Sequence, residues 1–155
     1  MSSDTSLAAG DQAPAFTLPD QNGRDVSLSD FKGKRFVLFF YPKADTPGCT
    51  LEAQAFRDKL PEFRAKGVEI VGISPDSPKD QKNFCDKYDL PYTLLADDGG
   101  EVAQRFGVWG EKTMFGRTYF GVFRTTFVIG PDGVIERVFP NVSVEGHADE
   151  VLASL

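Results

Sequence analysis

Cysteine and histidine are nearly absent from this chain: its 155 residues include two Cys and one His, with one Trp and two Met. Two thiols and one imidazole cannot form a zinc site without carboxylates, and no ligand spacing is present. There is no Cys-x-x-Cys, the redox unit of disulfide oxidoreductases. Positive charge is also short, with 17 basic against 23 acidic side chains and a net charge of −6. Such a surface repels phosphate backbones and anionic lipid, so neither nucleic acid nor a membrane is an expected partner. Long apolar runs are missing as well. The longest, Phe36 to Tyr41, falls far short of a bilayer span. The opening MSSDTSLAAGD has no basic segment followed by an apolar one, so no secretory signal is expected. The expected location is the cytoplasm, where a disulfide is transient, catalytic or sensing. Repeats, linkers and low-complexity segments are absent too. The expectation is one domain over 1–155, with a loose leader at 1–13 and with His147, in EGHADE, as a surface residue.

What the chain does have is 14 Phe and an apolar content of 41%, enough for a substantial core. Ala15–Leu18 and Asp25–Leu28 alternate and meet through Asn22-Gly23, which predicts an N-terminal β-hairpin. Arg35–Tyr41 reads as a strand buried on both faces, ended by Pro42. Helical periodicity follows from about Cys49 to Lys59, grouping Leu51, Ala55, Phe56 and Leu60 on one side. Pro61 should interrupt it, and Lys66-Gly67 is a C-terminal cap. Val68–Ile73 is the next strand, so the unit is strand, helix, parallel strand. Ser77-Pro78 opens a helix to about Tyr88. Tyr92–Leu95 predicts a short strand and Glu101–Phe106 a brief helix. A glycine-containing loop should run from Gly107 to Gly121. Arg124–Ile129 and Val134–Phe139 predict an antiparallel pair around Pro131-Asp-Gly133, and Glu145–Leu155 a closing helix. The fold class is α/β: a mixed central sheet flanked by helices, with the N-terminal hairpin as an extension.

Cys49 stands out by position. An isolated cytosolic Cys is usually a small buried hydrophobe. This one lies beyond the carboxyl end of a central strand, where open α/β sheets place their clefts. It also falls in the first turn of a helix, whose unpaired N–H groups favour an anion, after a stiff loop of Pro42, Thr46, Pro47 and Gly48. Reactive thiols occupy such surroundings.

The stretch Pro42-Lys-Ala-Asp-Thr-Pro-Gly-Cys49 resembles the PxxxTxxC signature of peroxiredoxins. FFYPK at 39–43, TPGCT at 46–50, FRD at 56–58, VGIS at 71–74, FGVWGEK at 106–112 and RTTFVI at 124–129 look like the bacterioferritin-comigratory, or Q-type, subfamily. The resemblance covers nearly the whole chain. It implies the thioredoxin-like architecture, to which the order of elements also conforms. It implies a thiol peroxidase acting on hydrogen peroxide and alkyl hydroperoxides, with Cys49 as the peroxidatic nucleophile and no metal, haem or flavin. By the same resemblance, Thr46 contacts sulfur and peroxide, Pro42 shapes and shields the pocket, and Arg124 is brought in from a neighbouring strand. Gly48 offers a backbone N–H near the peroxide, and Glu52 orients the arginine. Without the resemblance, Thr46 reads as a turn residue, Arg124 as a solvated cation and Glu52 as a helix-surface acid.

Many Q-type members carry a second Cys five residues after the first; here Gln54 stands there. The remaining thiol is Cys85, in the helix 77–88, and a branch of the subfamily has its resolving Cys in this helix. On the helical wheel Phe84 and Tyr88 mark the buried face. Cys85 lies about 100° from Phe84, with Gln81 and Asp89 near it at the helix edge. The resemblance implies an intramolecular Cys49–Cys85 disulfide, recycled by thioredoxin or glutaredoxin, in a monomer. A one-Cys peroxidase, a thioredoxin-like oxidoreductase and a non-catalytic peroxide sensor are the alternative readings.

Overall fold

The apolar run after Lys34 becomes the centre of the molecule. In a computed structural model, which describes residues 5–155, it forms strand β3 (Arg35–Phe40). The elements before it are β1 (Thr17–Pro19) and β2 (Asp25–Ser27). After it come α1 (Pro47–Ala65), β4 (Val68–Ser74), α2 (Pro78–Tyr88), β5 (Thr93–Ala96) and α3 (Glu101–Arg105). Then follow β6 (Trp109–Met114), β7 (Arg117–Val122), β8 (Thr125–Ile129), β9 (Ile135–Phe139) and α4 (His147–Ala153). The main sheet has the order β5-β4-β3-β8-β9. β3 pairs parallel with β4 and antiparallel with β8, so the sheet is mixed, as expected.

Side chains alternate across β3, which explains its unbroken hydrophobicity. Val37, Phe39 and Tyr41 pack on one face with Phe56, Leu60 and Phe63 of α1, Phe84 of α2 and Val151 of α4. Phe36, Leu38 and Phe40 pack on the other with Val102, Phe106 and Phe127. The helices therefore flank a sheet buried on both sides, the thioredoxin-like arrangement.

Several expectations fail for identifiable reasons. Pro61 does not end α1, which continues to Ala65. A proline inside a helix costs about 3 kcal/mol. Phe56, Leu60 and Phe63, buried on both sides of it, each return about 1.5–3 kcal/mol. Leu51 is 61% exposed, because the buried stripe of α1 runs through Cys49, Ala53, Phe56 and Leu60 instead. Gln81 lies in the interior rather than at an edge: its side chain bonds the Tyr41 hydroxyl, the Ser74 hydroxyl and the Leu95 carbonyl. The expected loop 107–121 is a hairpin, β6 against β7. Its turn residues Phe115 and Gly116 both take positive φ, 52° and 75°, the geometry of a tight primed turn. Phe-Gly lacks the Asn or Asp that announces such turns.

The leader is not loose where it is described; residues 1–4 lie outside the described residues. The Gly10 N–H bonds the Ile135 carbonyl at 2.8 Å, Ala13 bonds Gly133 at 2.9 Å, and the Thr5 hydroxyl bonds Phe106 at 2.6 Å. Backbone groups left open at the edge of β9 take up this segment. His147 is not on the surface either. It is buried, with Nε2 2.8 Å from the Thr126 hydroxyl and its ring packed edge-on to Phe56 and Phe139. Thr126 points from β8 towards α4 and supplies the polar partner that makes burial affordable.

Candidate active site

The site starts where β3 runs out of ladder. Tyr41 still bonds the Ile73 carbonyl, but Pro42 has no N–H to donate. The Ala44 N–H is held at 2.8 Å by Asp76, whose same oxygen takes the Ser74 hydroxyl at 2.6 Å. Asp45 then turns the chain through φ 59°, and Thr46 caps α1 with extended backbone. Pro47 follows at the first helical position, where its fixed φ suits a helix start. This local chain of constraints places Cys49 in the first turn.

Cys49 is buried, 1% exposed, and its sulfur takes a hydrogen bond from Arg124 Nη2 at 3.4 Å. Arg124 sits between β7 and β8, with its backbone clamped. The Val142 N–H bonds its carbonyl, and Thr125 donates back to Phe123. Its other nitrogen, Nη1, reaches Glu52 Oε1 at 2.6 Å. Glu52 lies three residues after Cys49 and so on the same side of α1. It is 1% exposed, and its Oε2 has no hydrogen-bond partner among the described residues. Burial pushes the Glu52 carboxyl up to about 7, against the lowering pull of Arg124. Gly48 leaves room for the guanidinium: a Cβ there would sit 3.2 Å from Arg124 Nη2.

Cys49, Gly48, Glu52 and Arg124 are thus brought together, with half-buried Pro42 at the start of the loop. The Thr46 hydroxyl instead donates to the Lys43 carbonyl at 2.7 Å, across the turn. Lys112, which the sequence reading quoted only as the end of FGVWGEK and gave no role, is half-buried on β6, with Nζ 5.6 Å from the Phe123 ring centre. Burial and the nearby Arg124 lower its pKa. No local signal marks it, because its strand was hidden by the unusual turn.

Cys85 occupies a different setting. It is half-buried near the end of α2, and its thiol donates to the Leu90 carbonyl at 3.0 Å. Gln21 Nε2 lies 3.8 Å from its sulfur. Burial raises its pKa. Neither cysteine is in a disulfide. A surface clasp joins the two neighbourhoods: Asp45, in the loop before Cys49, accepts from Lys87 at 2.9 Å and from the Tyr88 hydroxyl at 2.7 Å.

A thiol at a helix start, backed by an arginine from the distant junction before β8 of a thioredoxin-like sheet, defines a class of thiol enzymes. The AhpC/TSA family model matches residues 9–138, and the chain belongs to that family. It is 49% identical over 146 residues to "Peroxiredoxin Bcp" of Escherichia coli K12, covering 94% of each chain. Peroxiredoxin Q of Xanthomonas campestris superposes with a TM-score of 0.86 at 37% identity, covering 97% of this chain and 96% of that one. A structure of the Xanthomonas campestris bacterioferritin comigratory protein, studied for alkyl peroxide reduction, gives 0.86 at 35% identity over 97% and 96% of the two chains. The Q-type resemblance read from the sequence is borne out.

Proposed function

We infer that the protein is a thiol-dependent peroxidase that reduces hydrogen peroxide and organic hydroperoxides through Cys49. The observation that carries this reading is the Arg124 hydrogen bond to a sulfur seated in the first turn of α1. The thiolate attacks one peroxide oxygen, becomes a sulfenic acid and releases water or an alcohol.

Thiolate formation alone does not make such a reaction fast. A free thiol of pKa about 8.5 is roughly 3% ionised at pH 7, so full ionisation gains about 30-fold. Lowering a thiol's basicity by about three units costs roughly 20-fold in nucleophilicity, at a Brønsted slope of about 0.4–0.5. The two effects nearly cancel. The rate must come from holding the peroxide in line and from donors that follow charge onto the leaving oxygen. Arg124 and the backbone N–H groups at Gly48 and Cys49 are those donors. Thr46 joins them by turning its hydroxyl from Lys43 to the peroxide, and Pro42 walls the loop.

Cys85 resolves the sulfenic acid as an intramolecular disulfide within a monomer. In its folded setting the thiol is protonated and bound to Leu90. Attack therefore requires the last turn of α2 to open, which lifts the burial that suppresses the thiolate. The first part of α2 stays, held by buried Gln81. Opening offsets much of the roughly 4 kcal/mol that closing so long a loop contributes, which keeps the bond reducible by thioredoxin or glutaredoxin. A reducing compartment, the cytoplasm, suits that cycle. Non-reducing mass analysis after one equivalent of peroxide tests this. Loss of two hydrogens supports the Cys49–Cys85 bond, a lasting gain of one oxygen supports a one-Cys cycle, and an unchanged mass refutes the peroxidase.

A further inference from the structure

Two acidic groups in the site compete for one guanidinium. Arg124 gives Nη1 to Glu52 and Nη2 to Cys49. The carboxylate is almost wholly buried, yet one of its oxygens meets no donor among the described residues. A buried carboxylate with an unmatched oxygen carries a large desolvation cost, which protonation removes. Ionised Glu52 beside an ionised Cys49 would leave two buried anions against the single hydrogen-bonded cation.

We propose that Glu52 stores a proton while Cys49 is a thiolate and gives it up when the sulfur is oxidised. The proposal rests on the peroxidase reading and adds to Glu52 a task beyond orienting the arginine. The thiolate sulfur takes the terminal OH of the hydroperoxide, the O–O bond breaks, and the leaving alkoxide or hydroxide needs one proton. Sulfur is oxidised to the sulfenic acid and the peroxide is reduced to alcohol or water. Once the sulfur is neutral, Arg124 has one anion left to serve, and Glu52 ionises to pair with it. Glu52 loses one proton as the leaving oxygen gains one, so the step draws no net proton from solvent.

The surroundings agree with a carboxyl poised to change state. Burial already pushes Glu52 up to about 7 despite Arg124. Tyr92, just before β5, has Glu52 among the charges around it and is a buried phenol held in the neutral form, as is Tyr41 just after β3. His147, on α4, is pushed towards its neutral form, chiefly by burial. Lys112 of β6 faces Arg124 and Cys49 but makes no hydrogen bond to Glu52. Glu52 meets Arg124 and does not itself touch substrate, so its change of charge is coupled to the sulfur through the shared guanidinium.

The test is an oxidised-minus-reduced infrared difference spectrum of full-length protein at neutral pH. Cys85→Ser holds the reaction at the sulfenic acid, and one equivalent of peroxide is added. The expected result is loss of a protonated-carboxyl stretch and gain of a carboxylate stretch, up to one per Cys49 oxidised. Both should shift with 13C-glutamate labelling but not with 13C-aspartate. Labelling carries the assignment whether or not Glu52→Gln folds; a folded Glu52→Gln should lack both bands. Mass analysis of the same sample separates the failures. An oxidised Cys49 with unchanged glutamate bands overturns the proton store alone. A Cys49 that takes up no oxygen overturns the store and the peroxidase reading together.

Discussion

Cys49 and Cys85 are the same residue in opposite settings. Cys49 begins a helix, where backbone N–H groups point at an anion; Cys85 lies three residues from the end of one, where carbonyls crowd. The first sulfur accepts a hydrogen bond from a cation, and the second donates its proton to a carbonyl. Cys49 is fixed by deep packing. Cys85 is kept by a half-buried helix end and a surface clasp. The polarity of the helix end and the sign of the nearest partner set the two sulfurs apart, which is what the proposed roles of nucleophile and resolving thiol require.

Removing the cation should damage the Cys49 side most. Arg124→Ala should lower the rate constant for peroxide reduction by about 10²–10³, the cost of a lost transition-state donor. Titrating the thiolate and timing the reaction in the same variant checks it; a rate loss merely proportional to the thiolate loss would refute the donor role. On the other side, Cys85→Ser should leave the first turnover unchanged while dithiol-supported turnover falls by more than about tenfold, with a one-oxygen adduct accumulating. Rapid-quench mass analysis reads both phases.

A third measurement concerns pH. The Glu52 carboxyl is held above its ordinary 4.5, at about 7. The folded state therefore keeps the proton longer than the unfolded chain does, and stability is lost as pH rises from 4.5 to about 7. The loss attributable to Glu52 is about 3 kcal/mol, and Glu52→Gln should remove it from a denaturation series over that window. The smallest effect should come from Asp45→Ala, which unties the loop before Cys49 from Lys87 and Tyr88. Disulfide closure after sulfenic acid formation should accelerate by under about tenfold, since exposed ion pairs are weak. A slower closure would show that the clasp guides Cys85 rather than restrains it.

How much of this was readable along the chain follows from the distance over which each feature is decided. The strand, the proline stop, the loop and the helix start around Cys49 rest on neighbouring residues, and they were legible. The roles proposed for Arg124 and Cys85 rest on resemblance to a family, because no local pattern joins residue 124 to residue 49. Lys112 was missed because Phe115-Gly116 makes a tight turn without the usual asparagine. His147 was misplaced because its partner, Thr126, belongs to another element and gives no sign of itself near residue 147.

The order of residues was enough to settle the succession of main-sheet strands and helices, the two-sided burial of β3 and the seat of Cys49 at a helix start, since backbone sterics, proline geometry and helix polarity act within a few residues. Which anion shares the guanidinium, that the one histidine is buried and how firmly the second thiol is held were settled only by folding. Desolvation and hydrogen bonding depend on what the sheet and helices bring alongside, and those partners lie many tens of residues away.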